Sequence, residues 1–373
     1  MIYLDNSATS RYIPPTVMKA FENECKRKSN SGRSGHNDSI ASALKIQKVR
    51  EIICDFFKMK DGETVFTKNC TEALNLAIIG SYSGGHIVTT VTEHNSVLRP
   101  LTYLQKIKRA DVSFARPDKN GGVGLERIKC ALKQDTRLVI INACSNVTGT
   151  PNDYEEICKY CAENGIRTIL DASQMAGHRR IEVDKIGCDM LCCSGHKGLY
   201  GLQGTGFLTF NERVKIAPLL FGGTGTESIK TEQPTIYPES LESGTLNSAG
   251  IIALGEAVKW VDERIEKLSD DNVRNTETLI SELKKNSRFK IFSTPNQSGI
   301  VAFIVPGQDS ETIADYLNEC DIAVRGGLHC APFMHKYLGT VNSGLVRVSF
   351  GHNNTRKDTE KLIIALNRFI KTH

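Results

Sequence analysis

The stretch CCSGHKGLYG, residues 192–201, carries Lys197 from the end of an apolar run, CDMLCC, into a turn lined by Ser194, Gly195, His196 and Gly198. A surface lysine needs no such setting. A lysine that forms a Schiff base needs a fixed position, a backbone that can approach a ligand, and donors for an anion. Taken alone, the stretch reads more simply as an ordinary strand-to-loop turn, so the rest of the chain decides.

Other residues fit the same chemistry. In TKNCTEALNLAIIG, Cys70 and Thr71 open a helical pattern, where free N–H groups and the helix dipole make an anion site. Plain N-capping by Thr71 is an equal reading. Ser194 and His196 would add donors to the same phosphate. Asp171 closes the apolar run IRTIL. It is either a helix cap or the carboxylate that keeps a cofactor's pyridine nitrogen protonated, making the ring an electron sink. Gln174, three residues on, is in reach of that cofactor's phenolic oxygen. His94, in TEHNSV, can stack on the ring, and Asn146 can donate a hydrogen bond nearby.

The elements that position these residues follow from the pattern. HIVTTVTEH, TRLVIINACSN, IRTILDAS, CDMLCCSGHK and GTGFLTF read as strands, with VLRPLTYLQKIKRA and DYEEICKYCAENG between them as helices. That alternation predicts a largely parallel α/β sheet covered on both faces, with ligands beyond the carboxyl ends of its strands. His94, Asn146, Asp171, Gln174, Ser194, His196 and Lys197 all follow an apolar run, which places them at that edge. A long amphipathic helix over about residues 248–286 then leads to a C-terminal α+β unit. That unit reads strand, helix, strand, strand and closing helix, from GIVAFIVPG to TRKDTEKLIIALNRFIK.

With 373 residues the chain can bury a substantial core and suits one large domain plus a smaller one. The net charge of +5 is spread out, with no basic block that would imply nucleic acid. No apolar run reaches membrane-spanning length and no signal core follows the start, so the expectation is a cytoplasmic protein. The twelve cysteines do not form a disulfide framework. Cys54, Cys130, Cys144, Cys192 and Cys193 are expected to act as small hydrophobes. Cys158 and Cys161 lie on a helix with no partner pair, so no metal site is expected. Cys330, in AVRGGLHCAP, is different: its turn is rich in glycine, and Arg325 and His329 are expected to add positive charge, a setting for a reactive thiol.

Together the motifs YLDNSAT, TEALNL, TEHNSV, SNVTGT, DASQMAGH, SGHKGLYG, LESGTLN and AVRGGLHCAP run nearly end to end. The chain resembles the PLP-dependent enzymes of fold type I in aminotransferase class V, and within them the cysteine desulfurases and selenocysteine lyases. The resemblance implies a PLP-dependent transferase fold type I: a mainly parallel, seven-stranded-type sheet domain over residues 14–254, and a smaller domain from residues 1–13 and 255–373. It implies pyridoxal 5′-phosphate on Lys197, with Asp171 at the pyridine nitrogen, Gln174 at the phenolic oxygen and His94 on the ring. Cys70, Thr71, Asn146, Ser194 and His196 complete the cofactor set.

Thr245 is similar to a residue that reaches the phosphate of a neighbouring subunit, which implies a homodimer with shared sites. Arg347, with Arg325 and Asn146, would hold the substrate carboxylate, and Cys330 would take sulfur from L-cysteine as a persulfide. The sulfur would pass to an acceptor protein, for iron–sulfur cluster assembly or another sulfur-transfer pathway. Selenocysteine lyase, cystine C–S lyase and class-V aminotransferase activities are the alternatives on the same fold. The compact APFMH that follows the cysteine resembles the SUF-type subgroup. Leu328 stands where that subgroup often has histidine, and Cys70 stands where threonine is frequent.

Overall fold

A computed structural model describes residues 1–27, 30–31, 34–108 and 110–372. The strands are β1 (Ile2–Tyr3), β2 (Gly62–Thr67), β3 (His86–Thr90), β4 (Val112–Ala115), β5 (Thr136–Asn142), β6 (Arg167–Asp171), β7 (Met190–Ser194), β8 (Gly206–Asn211), β9 (Lys290–Ile291), β10 (Ile300–Ile304), β11 (Ile322–Ala323) and β12 (Val346–Ser349).

The central sheet has seven strands in the order β2-β8-β7-β6-β5-β3-β4. The pairs β3–β4, β3–β5, β5–β6 and β6–β7 are parallel. Only β8 runs against its neighbours, which keeps β2 aligned with the rest. Alternation along each strand serves two cores. Leu138 and Ile140 of β5 face one, Val139 and Ile141 the other, and Met190 and Leu191 of β7 divide in the same way. Because successive side chains point to opposite faces, a sheet covered on both sides needs an apolar residue at nearly every position. The sequences LVII and MLCC supply it.

A third core joins the helix Ile265–Lys284 to β10, β12 and the helix Arg356–Thr372, and it includes Leu4 from the other end of the chain. β1 pairs in parallel with β11, and β12-β10-β9 forms an antiparallel sheet. The segment leading from β1 is therefore stitched to both parts of the molecule. Asp5 bridges to Ser349, while the Ser10 hydroxyl donates to the Lys197 carbonyl at 2.6 Å.

Three expectations change. The helix expected over 248–286 is two helices, Ser248–Asp262 and Ile265–Lys284, separated at Arg264, which leaves helical geometry at φ −131°. The second helix carries the chain from one core to the next: its first residues, Ile265 and Leu268, still pack with the sheet, and Leu279, Ile280 and Leu283 pack in the third core. The strand expected in IAVRGG is only Ile322–Ala323, followed by a single bridge from Arg325 to Arg347. Cys130 is exposed just after the helix Leu125–Lys129 and Cys54 is half-buried, so neither is a core residue. Cys144, Cys192 and Cys193 are buried as expected. Among the described residues no cluster of His, Cys, Asp or Glu could hold a metal, and no helix is long and apolar enough to cross a membrane.

Candidate active site

The parallel strands end along one edge of the sheet, and the chemistry collects there. A cavity at this edge is lined by Cys70, Thr71, His94, Asn146, Asp171, Gln174, Ser194, His196 and Lys197. Its atom-free space, open mouth included, is about 520 Å³. Every residue expected at the strand ends is in this one cavity.

Lys197 leaves β7 in a tight turn, closed by Tyr200 N–H donating to the Lys197 carbonyl at 2.9 Å. A Cβ at Gly198 would run into the Ala176 carbonyl and the His178 ring, so only glycine lets this turn pack down on its neighbour. Burial pushes the Lys197 amine below its ordinary value, and the Asp171 carboxylate acts against that. Asp171 ends β6. Its Oδ1 accepts from Ser173 N–H at 2.9 Å and from the Cys70 thiol at 3.7 Å.

His94 sits in the turn between β3 and the helix Asn95–Lys108. Ser96 N–H donates to its Nδ1 at 3.0 Å, and the Ser96 hydroxyl lies 2.8 Å from the same atom. Nδ1 is thus an acceptor, which puts the proton of the neutral ring on Nε2. Burial and the Lys197 charge bring His94 down to about 4, so the ring is neutral near pH 7. The Thr71 and Ser96 hydroxyls are 2.8 Å apart, extending the chain Thr71–Ser96–His94. The cap of the helix Cys70–Ser81 is Asn69, not Thr71: Asn69 Oδ1 accepts from Glu72 N–H at 3.0 Å. That frees the Thr71 hydroxyl for the cavity. The helix comes close to β8 because Gly206 lacks a Cβ, which would sit 2.8 Å from the Asn69 Cα.

Burial and Lys197 likewise lower His196, to about 4, and its Nδ1 lies 3.0 Å from the Thr9 hydroxyl. Gln174 donates to the Ser7 carbonyl at 3.1 Å. Among the buried side-chain atoms without a hydrogen-bond partner are Ser194 Oγ and Asn146 Oδ1. Both belong to residues lining the cavity. Orphaned buried polar atoms at a cavity wall call for a polar ligand.

A second, wider opening shares Thr71, His94 and Ser96 with the first and is lined also by Cys330. Cys330 is exposed. It and His329 both adopt left-handed backbone, φ 55° and 49°, an uncommon conformation for residues other than glycine. Asn95 N–H fixes the loop by donating to the Cys330 carbonyl at 2.7 Å, and Asn146 Nδ2 donates to the His329 carbonyl at 2.7 Å. His329 does not supply the positive charge expected of it. Burial, with Arg347 nearby, drives it well below its ordinary value, and its Nε2 lies 3.3 Å from the Arg325 carbonyl.

Arg347, 1 % exposed, donates through Nη1 to the Asn146 carbonyl and through Nη2 to Asp5 Oδ1, each at 2.9 Å, while its Nε has no partner. Arg325 pairs with it through the backbone. Thr245 is exposed and does not line the cavity of this chain.

The aminotransferase class-V family model matches residues 2–362. The chain belongs to that family. It is 32% identical over its whole length to a probable cysteine desulfurase of Pyrococcus abyssi, covering 95% of that protein. It is 31% identical to one of Methanothermobacter thermautotrophicus, over 97% of this chain and 92% of the relative. The apo structure of a cysteine desulfurase from Thermococcus onnurineus superposes with a TM-score of 0.92 at 31% identity, over 100% of this chain and 95% of that one. The S-sulfonic acid form of the Escherichia coli cysteine desulfurase CsdA gives a TM-score of 0.87 at 25% identity, over 99% and 94%.

As a class-V member the chain brings in site residues that the motifs did not single out: Asp5, Ser7, Asn69, Ser96 and Ser173. Only Asn69, directly before Cys70, carried a local signal, as a good capping residue type. Ser96 and Ser173 contact His94 and Asp171 from two residues away, whereas Asp5 and Ser7 act through partners far along the chain.

Proposed function

We propose that the chain is a pyridoxal 5′-phosphate-dependent cysteine desulfurase, converting L-cysteine to L-alanine and receiving the sulfur on Cys330 as a persulfide. The observation that carries this is that the cavity lined by Lys197 and the opening lined by Cys330 are neighbours, with Thr71, His94 and Ser96 lining both. The names of the relatives support the same reading. The unpartnered Ser194 Oγ and Asn146 Oδ1 fit a phosphorylated, polar cofactor. When bound, that cofactor supplies an electron sink for the α-carbon of an amino acid.

The chain's residues divide the remaining work. Lys197 would hold the cofactor covalently, and its amine, made less basic by burial, would move the proton at the α-carbon. Thr71, Ser194, His196 and the first turn of the helix that Cys70 opens receive the phosphate. Asp171 would hold the ring nitrogen and Gln174 the phenolic oxygen, with neutral His94 packing beside the ring. Asn146, Arg325 and the free Nε–H of Arg347 hold the substrate carboxylate. The Cys330 thiolate forms an S–S bond to the substrate sulfur as the carbon–sulfur bond breaks. The electron pair stays on the carbon fragment, which takes up protons and leaves as alanine.

The division into residues 14–254 and 1–13 with 255–373 is supported by the separate third core and by Leu4 within it. We place the enzyme in the cytoplasm as a homodimer, Thr245 reaching the partner's phosphate and a separate protein accepting the sulfur. The exposed apolar Leu220, Phe221, Ile229 and Ile236 lie in the irregular stretch that leads to Thr245.

A single turnover with cysteine, followed by mass analysis of the peptide bearing residue 330, tests the reading. The wild type gains one sulfur there, and Cys330→Ser forms alanine at least about a thousandfold more slowly. Borohydride treatment fixes the cofactor on Lys197 and fixes none on Lys197→Ala. Alanine formation at the normal rate by Cys330→Ser sinks the desulfurase reading, and selenocysteine run in parallel identifies a selenocysteine lyase.

A further inference from the structure

The Cys70 side chain does not point its chemistry at a phosphate. Its thiol donates to Asp171 Oδ1 across 3.7 Å, in the first turn of its helix and against the end of β6. Each of the two residues is only 7 % exposed. Ser173 N–H donates to the same oxygen at 2.9 Å, and among the described residues no hydrogen bond uses Oδ2.

We propose that Cys70 is a positioning residue for Asp171, occupying Oδ1 together with Ser173 so that Oδ2 is left for the ring nitrogen of the cofactor. This rests on the cofactor reading above and deepens it. Hydrogen bonds to the ionised form favour that form, whereas burial alone drives a carboxyl toward its neutral acid. Two donors on one oxygen favour the charged form of a carboxylate, and a charged partner keeps the proton on the ring nitrogen. Without one donor, the neutral pair of acid and unprotonated ring gains ground. A thiol is a weak donor, but it is a durable one here: burial, with the Asp171 charge, pushes Cys70 well above its ordinary value, so it retains its proton.

The other titratable groups that act on Asp171 or feel its charge are Lys197 and His94 at the cavity, Glu93 before His94, and Cys144, Cys192 and Cys193 on the β5 and β7 side. None of them donates a hydrogen bond to it, so Cys70 is its one side-chain donor among the described residues.

The test loads wild type, Cys70→Ala, Cys70→Val and Cys70→Ser with pyridoxal phosphate labelled with ¹⁵N in the ring. ¹⁵N NMR then follows the pH at which the ring nitrogen loses its proton. Cys70→Ala and Cys70→Val should lower that midpoint by at least about half a unit, roughly a threefold change in the protonation equilibrium. Cys70→Ser, with a stronger donor, should hold it at or above the wild-type value. Apolar variants that fold by circular dichroism but release the cofactor, while Cys70→Ser retains it, support the same conclusion. Midpoints equal in all four proteins overturn it, as does loss of the cofactor from all three variants alike. Should neither apolar variant fold, Cys70→Ser decides alone, a midpoint below wild type overturning the proposal and one at or above it supporting it. A wild type that takes up no pyridoxal phosphate would instead remove the cofactor reading itself.

Discussion

Arg347 and Asn146 are locked together: Nη1 of the buried guanidinium donates to the Asn146 carbonyl at 2.9 Å, and the Asn146 amide in turn holds the His329 carbonyl at 2.7 Å. One asparagine therefore ties the arginine to the loop that presents Cys330. Asn146→Ala removes the side-chain tie to the loop; the cofactor should still bind through Lys197, Asp171 and Thr71, less tightly for want of the Asn146 amide. The loop 326–331 should exchange its amide hydrogens faster, and persulfide formation should slow by up to about tenfold, the upper end of what one neutral hydrogen bond contributes. Hydrogen exchange and single-turnover rates measured on the same preparation check both halves. Unchanged exchange in the loop would show that the tie is not what holds it.

The ion pair between Arg50 and Glu242 makes a second, independent prediction. The two side chains are 7 % and 5 % exposed, meet at 2.6 and 2.9 Å, and Glu242 also accepts from Phe66 N–H at 2.7 Å. Arg50→Ala leaves a buried carboxylate uncompensated and should cost about 3–5 kcal/mol. Replacing both residues with methionine should recover most of that loss. Urea unfolding of the single and double variants gives the comparison, and a double variant no more stable than Arg50→Ala refutes it.

Glu93 predicts the pH dependence of stability. The side chain is fully buried behind His94, its Oε1 accepting from the Thr90 hydroxyl and from Asn142 N–H, its Oε2 without a partner. Burial raises its carboxyl to about 8, Asp171 adding to the effect. The unfolded chain releases this proton near pH ~4.3. Between those values the folded state binds a proton that the unfolded state has lost. Stability therefore falls as pH rises through that window and levels off above about 8. Glu93→Gln should lack this limb. The wild-type-minus-variant difference in unfolding free energy should decline by up to about 1.4 kcal/mol per pH unit. A difference that stays flat across the window shows that Glu93 is ionised in the fold.

Assembly is the fourth expectation. If Thr245 reaches a neighbouring phosphate, Phe221→Glu in the exposed stretch before it should weaken the dimer and with it the hold on the cofactor. Sedimentation and absorbance measured on the same samples report both. A fully active wild-type monomer at assay concentration excludes the shared site.

Much of the site was legible because His94, Asn146, Asp171, Gln174, Ser194, His196 and Lys197 end or follow apolar strands, and that pattern survives without any knowledge of distant contacts. Asp171 after IRTIL and Lys197 after MLCCSGH are local facts. The errors came where two residues competed or where distance decided. Asn69 and Thr71 are both good caps, and only the geometry shows that Asn69 takes the Glu72 N–H. The break at Arg264 has no counterpart in the apolar spacing, since Val258 and Val261 before it and Ile265 and Leu268 after it pack in the same core. His329 reads as a cation beside a cysteine, yet its burial against Arg347 makes it neutral. Asp5 and Ser7 were invisible as site residues because their partners, Arg347 and Gln174, lie far along the chain.

That last separation bears on how the protein is made. Leu4 and Asp5 wait for β11 and β12: Leu4 N–H donates to the Ala323 carbonyl, Ser349 N–H to the Leu4 carbonyl, and Arg347 to Asp5. On the ribosome the earliest residues of this stitch emerge long before the strands that close it. The sheet that carries Lys197 can form first, at the modest entropic cost with which loop closure grows with length. The arginine and thiol side of the pocket is sealed only when translation has passed residue 349. A growing chain can therefore display its lysine without yet owning the machinery that would draw sulfur from an amino acid.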